Sequence, residues 1–108
     1  PVAVLTDWNC ASAGDDFAVF AKGAPNVTLI GTNTAGGTGQ LLLTQLPGNF
    51  LFAVSTYNCI MEDGTPICNN GVQPDIWCEQ TVSDALAGQD TVLLKAIEHF
   101  EEKAVERE

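Results

Sequence analysis

Two short apolar runs with an amphipathic helical pattern between them constrain the fold more than any other feature of this sequence. Residues 2–5 and 27–30 are apolar and typical of buried strands. Residues 12–23 carry apolar side chains at helical spacing, and Pro25 follows them. A strand, a helix and a strand in so few residues require parallel strands joined by a right-handed crossover. We therefore predict an α/β fold.

The rest of the chain predicts two hairpins, one further short strand and two helices. The segments are a hairpin of 41–46 and 50–56 around Pro47-Gly48, a second hairpin at Asp63-Gly64, a strand at 75–78, a helix from Ser83 to Gly88 and a longer helix beginning at Asp90. The fold class is thus α/β with a βαβ unit, a mixed sheet, β-hairpins and C-terminal helices. Because the sequence has no repeat and no low-complexity linker, we predict that residues 1–108 form a single domain.

Ser12 stands where the first turn passes into the first helix, within Cys10-Ala11-Ser12-Ala13-Gly14. A hydroxyl at a helix N-terminus faces unpaired backbone N–H groups and the positive end of the macrodipole, which favour an alkoxide and an oxyanion. With Asp15 three residues later, however, Ser12 also fits a capping box, in which the serine only satisfies an N–H group. On the residues alone, Ser12 is either a nucleophile or a cap.

Composition argues against several classes of partner. Fourteen acidic and four basic residues give a net charge of -10, which repels phosphate backbones and anionic lipids. We therefore expect no nucleic-acid partner and no membrane contact in this segment. One histidine and the lack of Cys-x-x-Cys spacing disfavour a metal site, and the glycine-rich loop 31–39 lacks the Gly-Lys-Ser/Thr ending of a phosphate-binding loop. We predict neither a metal nor a cofactor.

The chain contains four cysteines, which are Cys10, Cys59, Cys68 and Cys78. If Asp63-Gly64 forms a two-residue type I′ turn, Cys59 faces Cys68 in a non-hydrogen-bonded pair, where a disulfide fits. Cys10 with Cys78 then follows by elimination, although two other full pairings exist. Disulfides would indicate an extracytoplasmic location, which is periplasmic, cell-surface or secreted. Reduced, buried cysteines are the alternative.

Several motifs occur together in one order. They are Thr6-Asp7, Ala11-Ser12-Ala13-Gly14-Asp15-Asp16-Phe17-Ala18, Leu29-Ile30-Gly31, Thr34-Ala35-Gly36-Gly37, Asp63-Gly64-Thr65-Pro66, Gly71-Val72-Gln73-Pro74-Asp75-Ile76 and Asp84-Ala85-Leu86-Ala87-Gly88-Gln89-Asp90. In this order they resemble the carboxyl-terminal processing (tail-specific) serine protease family. The resemblance implies a crotonase-like protease core, of which this chain is the C-terminal part of the catalytic domain.

The resemblance also implies roles for individual residues. Ser12 would be the nucleophile that forms an acyl-enzyme with a peptide or protein substrate. The backbone N–H of Ala13 would be an oxyanion donor, and the glycine-rich loop with Gly36 and Gly37 would border the active site.

Two positions depart from the family's pattern. In one branch of the family a lysine follows the glycine-rich segment, where this chain has Gly37; the lysines at 22, 95 and 103 do not match that position. Many relatives carry a glutamate shortly before the Gly-Val-x-Pro-Asp motif, where this chain has Cys68, and Glu62 across the hairpin is the possible replacement.

The chain is more similar to the tricorn-like branch, in which a histidine far upstream acts as the base. His99, near the end of the last helix, is a poor substitute. We therefore expect an upstream segment of the same protein to supply the base, and the isolated chain to be inactive. The alternative is a non-catalytic peptide-binding or scaffold domain that keeps the protease fold. A third possibility is a disulfide-stapled module unrelated to proteases.

Overall fold

The computed structural model describes residues 1–105, and residues 106–108 lie outside it. In chain order the elements are β1 (Val2–Thr6), α1 (Ala13–Lys22), β2 (Val27–Gly31), β3 (Leu41–Leu46), β4 (Phe50–Ser55), β5 (Ile76–Trp77), α2 (Val82–Leu86) and α3 (Thr91–Val105). The mixed α/β fold class is confirmed, with the parallel and antiparallel strands in separate sheets.

The parallel sheet has the strand order β1-β2-β5. β1 pairs with β2 from Val2 opposite Val27 to Thr6 opposite Gly31, which confirms the predicted strand–helix–strand unit. β5 adds to the other edge of β2 through two residue pairs, also in parallel. All three strands therefore end at the same edge of the sheet. The turn that contains Ser12 follows β1 directly at this edge.

Helix α1 packs against β1 and β2 and contributes two residues to a small hydrophobic core. Its buried face consists of small residues, Ala18 and Ala21, so the helix lies close to the sheet. The buried hydrophobic cluster contains Ala18, Ala21, Leu29, Ile67 and Val72. Because Ile67 belongs to the second hairpin and Val72 to the loop after it, both segments are held against the helix and the sheet.

Strands β3 and β4 form an antiparallel hairpin, as predicted, in register from Leu41 opposite Ser55 to Leu46 opposite Phe50. The connecting loop is residues 47–49, in which Gly48 and Asn49 have positive φ angles of 86° and 63°. Every residue of both strands is exposed, and neither strand packs extensively on another element of residues 1–105.

The second hairpin differs from the prediction by one residue, and this correction removes the geometric argument for a Cys59–Cys68 disulfide. The loop has three residues, because the Gly64 N–H donates to the Met61 carbonyl at 2.9 Å and Gly64 has φ +87°. This is a type I turn with a glycine bulge instead of a type I′ turn. Ile60 consequently pairs with Pro66, and the Ile67 N–H donates to the Cys59 carbonyl. Cys59 therefore faces Ile67 and not Cys68.

All four cysteines are free thiols in the structure, so neither the Cys59–Cys68 nor the Cys10–Cys78 bridge is formed in it. Each is partly buried, which is the alternative that the sequence left open.

The two C-terminal helices begin close to the predicted places. The α2 cap is Thr81 and not Ser83, since the Thr81 hydroxyl accepts the Asp84 N–H at 3.0 Å. Asp90 caps α3 as predicted, by accepting the Leu93 N–H at 2.9 Å. Within residues 1–105, no helix is both long enough and apolar enough to cross a membrane.

Candidate active site

Ser12 lies in a strained turn between β1 and α1. Its φ and ψ are 57° and -117°, a conformation that residues other than glycine rarely adopt and that costs on the order of 1–3 kcal/mol. The residue is exposed to solvent. A serine on a strained strand-to-helix turn, with its hydroxyl exposed, is the arrangement that α/β-hydrolases use for a nucleophile. The turn thus has a geometry suited to a nucleophile.

Both halves of a capping box are present at this helix end. Oδ2 of Asp15 accepts the Ser12 backbone N–H at 2.8 Å, which is the carboxylate half of a capping box. Within the described residues, the Ser12 hydroxyl makes no capping hydrogen bond that meets normal geometry. The two interpretations of the sequence are therefore compatible, because the carboxylate half is a short hydrogen bond, whereas the Ser12 hydroxyl, which faces the Asp15 N–H in the other half, is held only loosely.

The Asp15 carboxylate also binds the glycine-rich loop. Its oxygens accept the Gly36 N–H and the Gly37 N–H, both at 2.9 Å, and the side chain is completely buried. Three backbone N–H groups therefore offset the cost of burying this carboxylate. The Ala35 N–H donates to the Cys10 carbonyl at 2.8 Å and adds a second link. The Asp15 carboxylate thus bridges the backbone of Ser12 and the backbone of Gly36 and Gly37.

The glycine-rich loop is held from its other side by close backbone packing. A Cβ on Gly36, which has φ +69°, would lie 2.5 Å from the Gly71 nitrogen and the Ile67 carbonyl oxygen. A Cβ on Gly71 would lie 1.9 Å from the Thr34 carbonyl oxygen. Only glycine fits these two positions, and the close backbone contact that it permits holds the loop against the core. Gly37 is different, because a Cβ there meets no atom within 4 Å.

Ala13 is the first residue of α1, so its N–H has no acceptor within the helix and lies next to Ser12. This position is suited to the predicted oxyanion role, with the macrodipole of α1 adding to it.

The lysines outside the family's position have other contacts. The Lys22 ammonium binds the Asp75 carboxylate at 2.9 Å and the Gln73 carbonyl at 2.7 Å. Lys95 pairs with Glu98 on α3, which raises the pKa of the lysine. Lys22 thus connects the end of α1 to the Gly-Val-x-Pro-Asp segment.

Asp75 completes this connection by accepting the Leu29 N–H at 2.8 Å. Burial acts to raise the pKa of Asp75, but the Leu29 N–H and the Lys22 ammonium outweigh it and hold the pKa below its ordinary value.

A groove of about 580 Å³ lies at the carboxyl ends of the three parallel strands. Its lining includes Asp7, Trp8 and Cys10 from the turn before Ser12, and Cys78 and Glu79 from the end of β5. Ligands of open α/β sheets bind at this edge. Burial, followed by the charges of Asp15 and Asp7, raises the pKa of the Cys10 thiol, which therefore stays protonated near neutral pH.

Sequence reasoning did not anticipate the groove or the central role of Asp15. The signal for Asp15 was present, because an acidic residue three positions after the serine precedes a loop with adjacent glycines. Nothing in the sequence indicates that these N–H groups converge on one carboxylate. Among residues 1–105 no group of three or more potential metal ligands lies together.

Several solved protein structures have a similar fold. A protein from Parabacteroides merdae ATCC 43184 assigned as a peptidase matches with TM-score 0.82 and 31% identity, over 91% of this chain and 31% of that chain. The tricorn protease matches with TM-score 0.81 and 28% identity, over 94% of this chain and 10% of that one. The photosystem II D1 C-terminal processing protease matches with TM-score 0.61 and 25% identity, over 73% of this chain and 20% of that chain.

This chain therefore spans less than a third of the length of each of these structures. No curated protein sequence matches it. The family model of Peptidase family S41 matches residues 1–78, which contain the Ser12 turn, Asp15, the glycine-rich loop and the Gly-Val-x-Pro-Asp segment. On this match, and with the protease fold around it, the chain belongs to Peptidase family S41.

Proposed function

We propose that this chain carries the nucleophile of a serine peptidase and that Ser12 attacks the carbonyl carbon of a peptide bond. The Ser12 oxygen forms the new bond to carbon, the Ala13 N–H stabilises the oxyanion, and the amine leaves with the proton that the serine gives up. Water then hydrolyses the acyl-enzyme. The observation that carries this proposal is the solvent-exposed Ser12, held in a strained turn at a helix N-terminus where the Asp15 carboxylate makes the short hydrogen bond of the capping box.

The general base of this proposal comes from outside the chain. Lys22 and Lys95 are committed to Asp75 and Glu98, and His99 lies on α3 against Phe100. We therefore infer that residues 1–108 are the C-terminal portion of one catalytic domain of the tricorn-like branch, and that an upstream segment of the same protein provides the base. The short coverage of longer peptidase structures supports this, and the isolated chain is expected to be inactive.

Peptides or proteins are the substrates of this proposal. The match to the photosystem II D1 C-terminal processing protease supports cleavage near a carboxyl terminus, that is, tail-specific activity.

An extracytoplasmic location also belongs to the proposal. The free thiols of the structure do not support it, and its support is the similarity to a lipoprotein from Streptococcus agalactiae, which matches with TM-score 0.59 and 25% identity over 81% of this chain and 30% of that chain. Cell fractionation followed by immunoblotting tests it, and recovery of the protein only in the cytoplasm contradicts it.

The experiment is labelling of the natural full-length protein with a fluorophosphonate. We expect one covalent adduct, located at Ser12 by peptide mass spectrometry, and loss of both labelling and peptide cleavage in Ser12→Ala. Ser83→Ala, an exposed serine in the first turn of α2, is the matched control and should leave both unchanged. Cleavage that persists at the wild-type rate in Ser12→Ala refutes the proposal.

A second candidate is a peptide-binding domain that has lost catalysis. It is favoured by Gly37 and Cys68, which stand where the family resemblance places catalytic groups. In that case wild type and Ser12→Ala bind peptide equally, neither cleaves it, and no fluorophosphonate adduct forms. The labelling experiment therefore separates the two candidates.

A further inference from the structure

We propose that the β3–β4 hairpin is inserted between two apolar layers supplied by another part of the same peptidase polypeptide, so that both faces of the hairpin are interior. This inference rests on the proposal that the chain is a portion of a larger catalytic domain. It adds where the remaining part docks and what chemistry that part presents.

The hairpin carries a large exposed apolar surface. Its large apolar residues are 42–79% exposed, and they are Leu41, Leu42, Leu43, Leu46, Phe50, Leu51, Phe52 and Val54. With each side chain taken at roughly 150–200 Å², the exposed apolar area is on the order of 800 Å². This exceeds the few hundred Å² that soluble monomers normally expose, and it equals one side of a protein interface of standard size.

Both faces of the hairpin are apolar. Successive residues of a strand point to opposite faces, and residues directly opposite each other share a face. The observed register therefore places Leu42, Phe52 and Val54 on one face, here called the Phe52 face. It places Leu43 and Leu51 on the other, here called the Leu43 face. A strand pair with one solvated face would alternate apolar and polar residues, and this pair does not.

The edges of the hairpin also lack the usual protection against pairing with another chain. Exposed edge strands are normally guarded by charged residues, bulges or proline. Here no charged residue occurs between Lys22 and Glu62, although the whole chain has a net charge of -10. The proline of the hairpin, Pro47, lies in its loop and not in a strand. The charge distribution thus sets this hairpin apart as a surface to be covered.

A second copy of the chain fits this surface less well than a larger part of one polypeptide. A copy related by a twofold axis stacks on one face and leaves the other face in water. It also brings a second charge of -10 to the assembly. The matched peptidase structures are about three times as long as this chain or longer, so each contains enough polypeptide to cover both faces.

The experiment is hydrogen exchange on the natural full-length protein, followed by mass spectrometry. We expect the hairpin amides, such as those of Leu43 and Phe52, to exchange within about tenfold of the buried Leu29 amide, at all protein concentrations over a hundredfold dilution. Exchange of the hairpin more than about a hundredfold faster than Leu29 overturns the inference. Protection that disappears on dilution also overturns it, because it identifies a second copy as the occupant.

A charge placed on each face in turn tests the two-sided burial. Phe52→Glu and Leu43→Glu should each lower the thermal midpoint of the full-length protein by at least about 5 °C, because each buries a carboxylate. Asn49→Asp adds the same charge in the connecting loop, outside both strands, keeps the oxygen that accepts the Gln45 side-chain N–H, and should shift the thermal midpoint by less than about 2 °C. Sensitivity on one face only contradicts the inference. Hydrogen exchange does not depend on catalysis, so failure here and failure of Ser12 labelling are distinguishable.

Discussion

Replacing Asp15 with asparagine tests whether one buried carboxylate holds the whole candidate site together. The substitution keeps the size of the side chain and removes its charge. In the structure Oδ2 accepts the N–H groups of Ser12 and Gly37, and Oδ1 accepts that of Gly36. Asparagine has one oxygen, which can serve the first two groups, and its NH₂ then points at the Gly36 N–H. A donor therefore faces a donor in a buried position.

The magnitude follows from these three contacts. A hydrogen bond to a charged acceptor contributes about 1.5–3 kcal/mol, and a buried N–H left unsatisfied costs about 1–3 kcal/mol. Asparagine also removes the cost of burying a charge, which offsets part of the loss. We expect Asp15→Asn to lower the free energy of unfolding by about 3 kcal/mol. For a chain with a small core this is a large share of a total that is typically about 5–15 kcal/mol.

The assay is urea unfolding of the full-length protein with linear extrapolation. The matched control is Asp16→Asn, because Asp16 has one side-chain partner, the Thr38 hydroxyl at 2.6 Å, and asparagine keeps an oxygen for it. The control should cost less than about 1 kcal/mol. If Asp15→Asn is as stable as Asp16→Asn, the carboxylate does not hold the site and the reasoning is wrong. We also expect fluorophosphonate labelling of Ser12 to slow at least tenfold, since a misplaced nucleophile reacts slowly even in folded protein.

Further predictions concern the periphery of the site. Gly37→Lys should fold normally, because a Cβ there meets no atom within 4 Å. Above neutral pH, fluorophosphonate should label Ser12 faster in this variant than in the uncharged control Gly37→Met. Equal labelling rates in the two variants contradict a lysine-assisted reaction. Asp75→Asn should cost about 1–2 kcal/mol at pH 7, discounted for solvent exposure, as measured by urea unfolding. Because the folded pKa of Asp75 is lowered, its contribution is complete above the unfolded value of 3.8 and is lost as pH falls through the folded value, so wild type and variant should converge in acid. Asp7→Asn should speed alkylation of Cys10 by iodoacetamide at pH 8, since removing a negative charge lowers the raised pKa of Cys10; an unchanged rate would rule out that electrostatic effect.

The parts of the fold that were predictable depend on local pattern. The strand–helix–strand unit and the β3–β4 hairpin follow from apolar periodicity, which acts over a few residues and leaves one solution. The second hairpin was wrong by one residue because Asp-Gly fits two turn types. Which of them forms is decided by the Met61 carbonyl, and a shift of one residue moves Cys59 away from Cys68.

The convergence on Asp15 could not be predicted in the same way. It requires two segments, 12–15 and 36–37, to meet through the tertiary fold, and it depends on the fit of Gly36 against Gly71. Neither segment contains the information alone. The sequence indicated the capping box of Ser12 and Asp15, while the two further hydrogen bonds of the carboxylate depended on this meeting.

The division of tasks between Ser12 and Asp15 has a physical reason. A serine hydroxyl that accepts a strong capping hydrogen bond from a backbone N–H is held in the cap geometry, which is not the orientation for attack. Here the Asp15 carboxylate makes the short bond of the capping box, so the helix end remains satisfied while the more loosely held hydroxyl stays in the field of the macrodipole. The cost is the positive φ of Ser12, and the three hydrogen bonds to Asp15 are stronger than that strain of about 1–3 kcal/mol. A site of this kind is therefore stable only if the glycine-rich loop is in place, which makes the order of that loop a condition for the reactivity of the serine.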